Sequence, residues 1–315
     1  MIESDVIIVG GGPAGSAAAW KLKQNNVKCL VLDKSSFPRL KLCAGWITPK
    51  VFHDLELDKY PHSITRFDRI HSHVWGISRK MKTLQYSIRR YEFDSWLLKR
   101  SGADVINHNV QKIKESGGKY IIDNKYRCKY LIGAGGTNCP VYSTFFKGLN
   151  PREEKSMVVA MEAEFRYHYK EKDCILWFFR NRLPGYSWYV PKGNGFLNIG
   201  IGGLFTKMKS RKRNIQEHWN LFAKELEGAG LVAGIKLKPQ GYVYYLRQEI
   251  TSPRIKNAFI VGDAAGLATK DLGEGIGPAV ESSILAADSI VNNTEYSLES
   301  VTKKSVPFLK LLSML

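Results

Sequence analysis

The chain opens with a pattern of apolar and small residues that predicts a strand, a tight turn and a helix. The apolar run Val6-Ile7-Ile8-Val9 leads into three glycines, and a stretch rich in alanine follows. A second apolar run over residues 27–32 ends at Asp33. Short apolar runs bounded by glycine favour buried strands, and the small helix formers favour a helix over residues 13–25. The first 33 residues therefore predict two parallel strands joined by a helix.

The rest of the chain shows two further kinds of pattern. Helical periodicity marks residues 89–100, 207–229 and 277–292, and short apolar runs mark strands at 103–113, 119–123, 125–132 and 258–262. Polar residues alternate with apolar and aromatic ones from 157 to 203, and more weakly from 70 to 88. A period of two is typical of half-buried antiparallel strands. Residues 35–46 have no clear period and predict a loop after the second strand, where ligands bind in doubly wound sheets.

These patterns predict a nucleotide-binding α/β domain with an inserted antiparallel-sheet substrate domain. We assign residues 1–68, 89–156 and 240–292 to the first domain, and residues 69–88 and 157–239 to the second. Residues 293–315 are predicted to form a helical tail. A chain of 315 residues is long enough to bury a sizeable core in this arrangement.

The glycines of the first turn have the spacing of a dinucleotide-binding fingerprint. Gly10 makes the turn, Gly12 lets the backbone approach a pyrophosphate, and Gly15 lets helix and strand pack closely. Asp33 follows Gly15 by 18 positions, which suits an acceptor for the ribose hydroxyls. The helix N-terminus adds free N–H groups and a positive dipole end. Residues 5–33 are therefore predicted to bind the ADP half of a dinucleotide.

A second motif lies in residues 258–277. A buried apolar strand ends in Gly262-Asp263, and small residues and glycines follow as far as Gly277. The Asp263 carboxylate can accept hydrogen bonds from a sugar-alcohol chain, and the glycines allow close backbone approach to a ring. The segment resembles the second FAD fingerprint of flavoproteins. Since NAD would need no second motif of this kind, we predict that the cofactor is FAD.

Composition restricts the partners more than the fold. The chain carries 47 basic and 29 acidic residues, a net charge of +18, which suits nucleic acid, an anionic membrane or a phosphate-bearing substrate. No nucleic-acid-binding module is recognisable, so nucleic acid is not expected as a partner. The basic run in residues 207–213 is either a solvated helix start or a contact with anionic lipid or substrate.

Cysteines and hydropathy indicate the compartment. The five cysteines include no CxxC pair, which argues against a zinc site or a disulfide framework and favours a reducing compartment. No run of ~18 apolar residues exists, and the first motif begins too early to follow a signal peptide. We expect a cytoplasmic protein, or one attached peripherally to the inner face of the membrane. The apolar segment 306–315 is an interfacial anchor in that second case, or a helix end against the core.

Four segments carry a family resemblance. Arg90-Tyr91-Glu92-Phe93-Asp94 is similar to the Arg-x-x-Phe-Asp element of flavoprotein monooxygenases, whose arginine lies beside the flavin. The aromatic segment 183–203, the loop Lys41-Leu42-Cys43-Ala44-Gly45 and the glycine-rich stretch 273–276 resemble the geranylgeranyl reductase family. The resemblance covers residues 3 to about 290. It implies a glutathione-reductase-type FAD fold and the reduction of isoprenoid double bonds.

The resemblance also implies roles for individual residues. Tyr186 and Trp188 share a strand face with Val190, which would make an apolar slot for a hydrocarbon chain, although ordinary core packing explains the same pattern. Cys43 is either a proton donor or a small buried residue. The catalytic candidates are thus Cys43, Tyr186 and Trp188. Besides the glycines and acids above, cofactor contacts are expected at Pro13, Ala14, Lys34, Arg39, Cys43, Ala44, Arg90, Val110, Ala134, Gly135, Gly273, Gly275 and Ile276.

The chain departs from the family pattern at three places. Ala44 replaces a glycine, and Val190 replaces the phenylalanine of the aromatic motif. Gly133-Ala134-Gly135-Gly136 lacks the acidic residue of the superfamily's Gly-Ala-Asp-Gly element. The electron donor is therefore either NADPH or a ferredoxin-like protein. Two other functions remain open on the same fold: a monooxygenase or halogenase, and a lipid-binding flavoprotein without catalysis.

Overall fold

The computed structural model describes residues 1–303. Within this range the strands are β1 Ile2–Val9, β2 Cys29–Asp33, β3 Trp46–Ile47, β4 Thr65–Val74, β5 Ile77–Ser87, β6 Asp104–Asn107, β7 Ile113–Ser116, β8 Lys119–Ile122, β9 Tyr126–Gly133, β10 Met157–Arg166, β11 Cys174–Phe178, β12 Gly185–Lys192, β13 Phe196–Leu204, β14 Gln240–Tyr245, β15 Arg254–Ile255 and β16 Ala258–Ile260. The helices are α1 Pro13–Gln24, α2 Pro49–Asp54, α3 Arg90–Arg100, α4 Phe205–Ser210, α5 Ile215–Gly228, α6 Ile276–Asn292 and α7 Glu299–Thr302.

The chain divides into two compact units. The first contains Met1–Arg39, Tyr91–Arg152 and the chain from Tyr245, and the second contains Leu40–Arg90 and Glu153–Tyr244. The sequence pattern predicts the first boundary after residue 68, but in the structure it lies between Arg39 and Leu40. The reason is strand pairing: β3 pairs with Tyr86 and Ser87 of β5, which commits the segment after Arg39 to the second unit.

The first unit is built on a sheet whose strands follow the order β15-β16-β9-β1-β2-β6. The strands from β16 to β6 are parallel, and β8 joins the edge of β9 in an antiparallel hairpin with β7. All five residues of β2 are buried, as expected for a parallel strand covered on both faces. This is the predicted Rossmann-like α/β architecture.

Small side chains let the helices of the first unit approach each other and the sheet. α1 packs on α6, and its buried face carries Ala14, Ala17, Ala18 and Leu22. A Cβ built on Gly262, in the turn after β16, would lie 3.2 Å from the Cβ of Ala14 and 3.0 Å from that of Ala279. The turn after β16 is therefore enclosed between the two helices.

The chain after α6 completes the core of the first unit. Tyr296, Leu298 and Val301 are buried in it. The hydroxyl of Tyr296 donates to the carbonyl oxygen of Ile260 at 3.1 Å and is 3.3 Å from that of Ser282. Segment 306–315, considered above as an anchor, lies outside the described residues. Among the helices of residues 1–303, none combines the length and the apolar character needed to cross a membrane.

The second unit is built on a sheet with the strand order β14-β10-β13-β12-β11-β4-β5-β3. Antiparallel pairing joins β10 to β13, β13 to β12, β12 to β11, β4 to β5 and β5 to β3. β11 and β4, in contrast, run parallel with Cys174 opposite Ile70, so the sheet is mixed and not wholly antiparallel as predicted. Strand alternation alone indicates that a segment is a strand but not which neighbour it pairs with.

One face of this second sheet is covered by α5. Tyr189, Ile199 and Ile201 form a core with Trp219 and Phe222 of the helix. The predicted helix 207–229 is interrupted between Ser210 and Ile215. Lys212 has a positive φ of 54°, and Asn214 caps α5 by accepting from the N–H of Glu217 at 2.9 Å. This capping box gives the second helix a start of its own.

Candidate functional site

The turn between β1 and α1 requires glycine at two positions. Gly10 has a φ of +110°, and a Cβ there would lie 2.4 Å from the carbonyl oxygen of Ala134. A Cβ on Gly15 would lie only 1.8 Å from the carbonyl oxygen of Gly10. Real atoms cannot approach this closely, so any side chain at these positions would force the turn, helix and strand apart. The predicted roles of Gly10 and Gly15 agree with these distances.

The N-terminus of α1 is left open for an anion. Gly12 occupies the N-cap position without a side-chain cap, Pro13 follows, and the first turn contains no acidic residue. Helix N-termini normally receive an oxygen acceptor at this place. A Cβ on Gly12 would meet only the guanidinium of Arg39, at 3.5 Å. The turn therefore fits a pyrophosphate, with Arg39 as a neighbouring cation.

Asp33 is fixed beside this turn at the end of β2. Its Oδ2 accepts from the N–H of Gly11 at 2.6 Å, and its Oδ1 accepts from the N–H of Ser35 at 2.8 Å. The carboxylate is buried, and its lone pairs exceed these two donors. It can therefore accept from a ribose hydroxyl while it holds the turn. The neighbouring Lys34 is exposed.

Arg39 is positioned by α3. Its Nη2 lies 3.4 Å from Oδ2 of Asp94, and its guanidinium lies 4.8 Å from the ring centre of Phe37. Asp94 is completely buried, so this carboxylate belongs to a structural ion pair. Arg90, the first residue of α3, is buried as well and falls in the second unit. Val110, another predicted cofactor residue, packs in the core of the first unit.

The second motif is held in place by a residue that the sequence analysis did not single out. The guanidinium of Arg152 donates to the carbonyl oxygens of Thr137, Asp263 (3.2 Å) and Ala264 (2.9 Å). It thereby connects the turn after β9, which includes Ala134 and Gly135, to the turn after β16. A lone arginine in an irregular segment has no sequence signature, so only the fold shows this role.

α6 begins at a glycine N-cap as α1 does, but a carboxylate occupies part of its first turn. Gly275 is its N-cap and makes no side-chain cap, and a Cβ on Gly275 would lie 3.3 Å from Oδ1 of Asp263. Oε1 of Glu274 accepts from the N–H of Gly277 at 2.5 Å. Burial raises the pKa of Glu274 to about 7, and the nearby charges of Asp271 and Asp263 act in the same direction. Gly273 and Ile276 flank this helix start.

The two motifs meet at one edge of the first sheet. β1, β2, β9 and β16 are parallel, so the turn of Gly10, Asp33, the Ala134 turn and Asp263 all follow strand ends at the same edge. The open N-terminus of α1, the glycine-rich start of α6 and the carboxylates of Asp33 and Asp263 in one unit fit a dinucleotide with a charged pyrophosphate and hydroxyl-bearing sugars. The residues present therefore suit FAD.

Cys43 lies in the second unit, in a loop with a fixed backbone. Its Sγ accepts from the N–H of Gly45 at 3.3 Å, and its carbonyl oxygen accepts from Nζ of Lys192 at 2.8 Å. Gly45 has a φ of +68°, and a Cβ there would lie 2.0 Å from the carbonyl oxygen of Ile88. Cys43 is half-buried, whereas the other four cysteines are buried. Its neighbour Ala44 is half-buried too.

Tyr186 and Trp188 lie on the same face of β12, as predicted. Their ring centres are 5.6 Å apart, and Nε1 of Trp188 donates to Oδ1 of Asn198 at 2.7 Å. A Cβ on Gly200 would lie 2.1 Å from Cζ2 of Trp188, so the indole lies across β13 where only glycine fits. Val190 is fully buried further along the strand. The aromatic residues are thus held rigidly on this face.

Glu162 is the second residue that sequence reasoning missed. It lies opposite Gly200 in the pairing of β10 and β13, on the same face as Trp188. The residue is 0% exposed, and among residues 1–303 neither carboxylate oxygen makes a hydrogen bond of normal geometry, although the side chain of Asn198 is close enough to lower its pKa. The available signal was a pair of carboxylates, Glu162 and Glu164, two positions apart in an otherwise apolar strand.

Burial controls the protonation of Glu162. Desolvation raises its pKa to about 7, assisted by the charge of Glu164 and opposed by Lys192, Asn198 and Lys41. Glu164, in contrast, pairs with Nζ of Lys192 at 2.6 Å and with Nε of Arg89 at 3.0 Å, which hold its pKa below the ordinary value despite burial. The two neighbouring carboxyls therefore differ in pKa. That of Glu164 is lowered, which favours the ionised form, and that of Glu162 is raised, which favours the protonated form near neutral pH.

Comparison with known proteins identifies relatives of this chain. A family model described as an NAD(P)-binding Rossmann-like domain matches residues 8–80. An uncharacterized protein of Methanosarcina barkeri is 32% identical over 305 residues, covering 92% of this chain and 75% of that protein. Digeranylgeranylglycerophospholipid reductase 3 of Methanosphaera stadtmanae is 28% identical, over 95% of this chain and 81% of that one.

A solved structure has the same fold. The crystal structure of a geranylgeranyl bacteriochlorophyll reductase-like protein from Thermoplasma acidophilum superposes with a TM-score of 0.78 at 20% identity, covering 100% of this chain and 84% of that one. The chain whose sequence is given above binds FAD and is an oxidoreductase. It belongs to the geranylgeranyl reductase family of FAD-dependent oxidoreductases.

Proposed function

We propose that the protein reduces carbon–carbon double bonds of an isoprenoid, either a prenyl diphosphate or a prenyl lipid. The observation that carries this proposal is the buried Glu162 beside the aromatic face of Tyr186 and Trp188. Saturating an isolated alkene needs a hydride for one carbon and a proton for its neighbour, within an apolar site. A protonated carboxyl at an aromatic surface supplies the second requirement.

The first unit would hold the cofactor. Gly10, Gly12 and Gly15 with Asp33 would bind the ADP half, and Asp263 with the start of α6 would bind the flavin half. When bound and reduced, FAD would supply the hydride for a substrate carbon. The electron donor that reduces it is NADPH or a ferredoxin-like protein.

The second unit would position the substrate and supply the proton. Tyr186 and Trp188 would contact the hydrocarbon chain. The proton on a carboxyl oxygen of Glu162 would pass to the carbon next to the one that receives the hydride, leaving a carboxylate that water then reprotonates. Cys43 is a second candidate for this proton, because its thiol belongs to the same unit and is only half-buried. Lys192 would act as a positioning residue through its hydrogen bond to the Cys43 carbonyl.

The proposal is tested with purified holoprotein reduced by dithionite and mixed with geranylgeranyl diphosphate or an unsaturated archaeal-type prenyl lipid. We expect reoxidation of the flavin and a product heavier by two hydrogens for each double bond reduced, detected by mass spectrometry. The rate should fall as pH rises through about 7, and Glu162→Gln should remove that dependence along with most of the rate.

Other outcomes would contradict the proposal. A flavin–oxygen adduct absorbance that appears before an oxygenated or halogenated product would assign the protein to the monooxygenases or halogenases. Tight binding of the prenyl lipid without any turnover would indicate a lipid-binding flavoprotein. Retention of full activity in Glu162→Gln, with loss in Cys43→Ala, would transfer the proton-donor role to Cys43.

A further inference from the structure

The turn between β4 and β5 presents apolar side chains to solvent. Trp75 is 75% exposed, more than any other large hydrophobic residue in the described chain, and Ile77 is 62% exposed. Both follow directly on the end of β4, with Gly76 between them. Exposing a tryptophan to this degree costs the free energy that its burial would gain, so the position needs an explanation other than folding.

A third apolar residue joins these two. Phe179 stacks on Trp75 with ring centres 5.3 Å apart and ring planes inclined by 18°. The contact follows from the sheet: β4 and β11 run parallel with Val74 opposite Phe178, so both strands end at the same edge. The turns that follow them therefore lie side by side. We call Trp75, Ile77 and Phe179 the apolar tip.

Exposed cations lie next to the apolar tip. Arg180 and Arg182 follow Phe179 directly. The connection between α4 and α5 is attached to the same turn, because Arg211 donates to the carbonyl oxygen of Arg182 at 2.5 Å and Arg213 to that of Asn181 at 3.2 Å. We call Arg180, Arg182, Arg211, Lys212 and Arg213 the basic rim. Of these, Arg180 pairs with a carboxylate, Glu225, at 2.9 Å.

The apolar tip and the basic rim together are better suited to bind a membrane surface than a protein. Tryptophan is enriched at the level of lipid headgroups, where its apolar ring and polar N–H are both satisfied. Basic side chains near an anionic bilayer contribute about 1 kcal/mol each. A stable protein interface, in contrast, buries roughly 800 Å² on each partner and is depleted of charge at its core. Three apolar side chains next to several cations bury too little area and carry too much charge to form a stable protein interface.

We propose that the apolar tip and the basic rim together form a docking surface for a membrane that contains anionic phospholipids. The tip would enter the headgroup region, and the rim would contact the phosphates. The basic run 207–213, for which the sequence left solvation and lipid contact as alternatives, receives a definite place in this arrangement. The inference concerns binding alone, so it stands or falls independently of the proposed reaction.

The test is sedimentation of the full-length holoprotein with vesicles of phosphatidylcholine, with and without phosphatidylglycerol. We expect binding to the anionic vesicles only, weakening as salt is added. Trp75→Ala and the double variant Arg211→Glu/Arg213→Glu should each bind at least about tenfold more weakly, the second because it changes four units of charge. The melting temperature of Trp75→Ala should be nearly unchanged, since this side chain is exposed, whereas the arginine variant loses two hydrogen bonds to backbone carbonyls and should melt slightly lower while it stays folded.

Matched controls lie in the first unit. Leu149→Ala removes another exposed apolar side chain, and Lys114→Glu/Lys119→Glu reverses two exposed lysines. Both controls should bind vesicles like the wild type. The proposal is overturned if the wild type ignores anionic vesicles, which would leave a protein partner for the tip. It is equally overturned if the Trp75 and arginine variants bind as tightly as the controls.

Discussion

Lys192 holds the backbone of Cys43 across 149 positions of sequence. The ammonium group of this fully buried lysine donates to the Cys43 carbonyl oxygen at 2.8 Å and pairs with Oε2 of Glu164 at 2.6 Å. A buried cation is tolerated only where partners replace its water, and these two oxygens do so. The loop that carries Cys43 is therefore fixed to the centre of the second sheet.

Replacing Lys192 by methionine should destabilise the second unit and loosen this loop. Glu164 would keep Arg89 but lose its closest partner, and breaking a buried ion pair from one side costs about 3 kcal/mol or more. Denaturant unfolding should show this loss. The control Lys236→Met, at an exposed lysine of the same unit, should change the free energy of unfolding by less than about 0.5 kcal/mol. Equal effects of the two variants would contradict the role of Lys192.

Thiol reactivity should distinguish Cys43 from the other cysteines. Burial raises the pKa of Cys29 to about 11 and that of Cys128 to about 12, and it raises the pKa of Cys139 and Cys174 as well. A thiol-specific reagent at pH 8 should therefore modify one thiol of the native protein quickly and the rest only on unfolding. Cys43→Ser should abolish the fast phase. A fast phase that survives this substitution would show that a buried cysteine becomes accessible.

Stability should depend on pH through Glu162. Its pKa is raised from the usual 4.5 to about 7 in the folded protein. The contribution of Glu162 to the free energy of unfolding is therefore fully present below about pH 4.5. It is lost as pH rises through about 7, because the folded state must then carry a buried charge. Relative to the wild type, the free energy of unfolding of Glu162→Gln should be higher by on the order of 3 kcal/mol at pH 8 and by much less at pH 5. Melting curves at both values test this, and a difference that does not change with pH would contradict it.

The first turn should not accept a methyl group. In Gly15→Ala the new Cβ would meet the carbonyl oxygen of Gly10 at 1.8 Å, so α1 and β1 must separate. We expect loss of several kcal/mol of stability and protein that is purified without the 450 nm flavin absorbance. Gly148→Ala is the control, because a Cβ there meets nothing within 4 Å and its φ is not in the left-handed region. The control should remain yellow and as stable as the wild type.

Arg152 should be needed for FAD retention although the sequence does not mark it. Arg152→Ala removes the donors for three partly buried carbonyl oxygens, a loss of about 2–4 kcal/mol in stability. Because these carbonyls belong to the two turns that border the predicted flavin site, the dissociation constant for FAD should rise as well. The exposed pair Arg127–Glu3 provides the control variant Arg127→Ala. Unchanged FAD affinity in Arg152→Ala would contradict the positioning role.

Local pattern was enough for the elements that lie close together in sequence. The strand, turn and helix of residues 2–24 followed from a run of apolar residues, three glycines and small helix formers. The motif at Asp263 and the strand faces of Tyr186 and Trp188 were predicted for the same reason, since spacing and period are properties of short segments. The predicted family and cofactor rested on these segments, and both were confirmed.

Long-range pairing decided the rest. The parallel contact of β4 with β11, the place of residues 40–68 in the second unit, and the burial of Glu162 each depend on residues that are far apart in the chain. Sequence periodicity tells which face of a strand a residue occupies, but not which strand lies beside it or whether a carboxylate there finds a partner. The sequence by itself therefore determined the fold class and the glycine motifs. Only the tertiary structure decided that burial raises the pKa of Glu162 to about 7, that Lys192 holds the backbone of Cys43, and that Trp75 stacks on Phe179 next to exposed arginines.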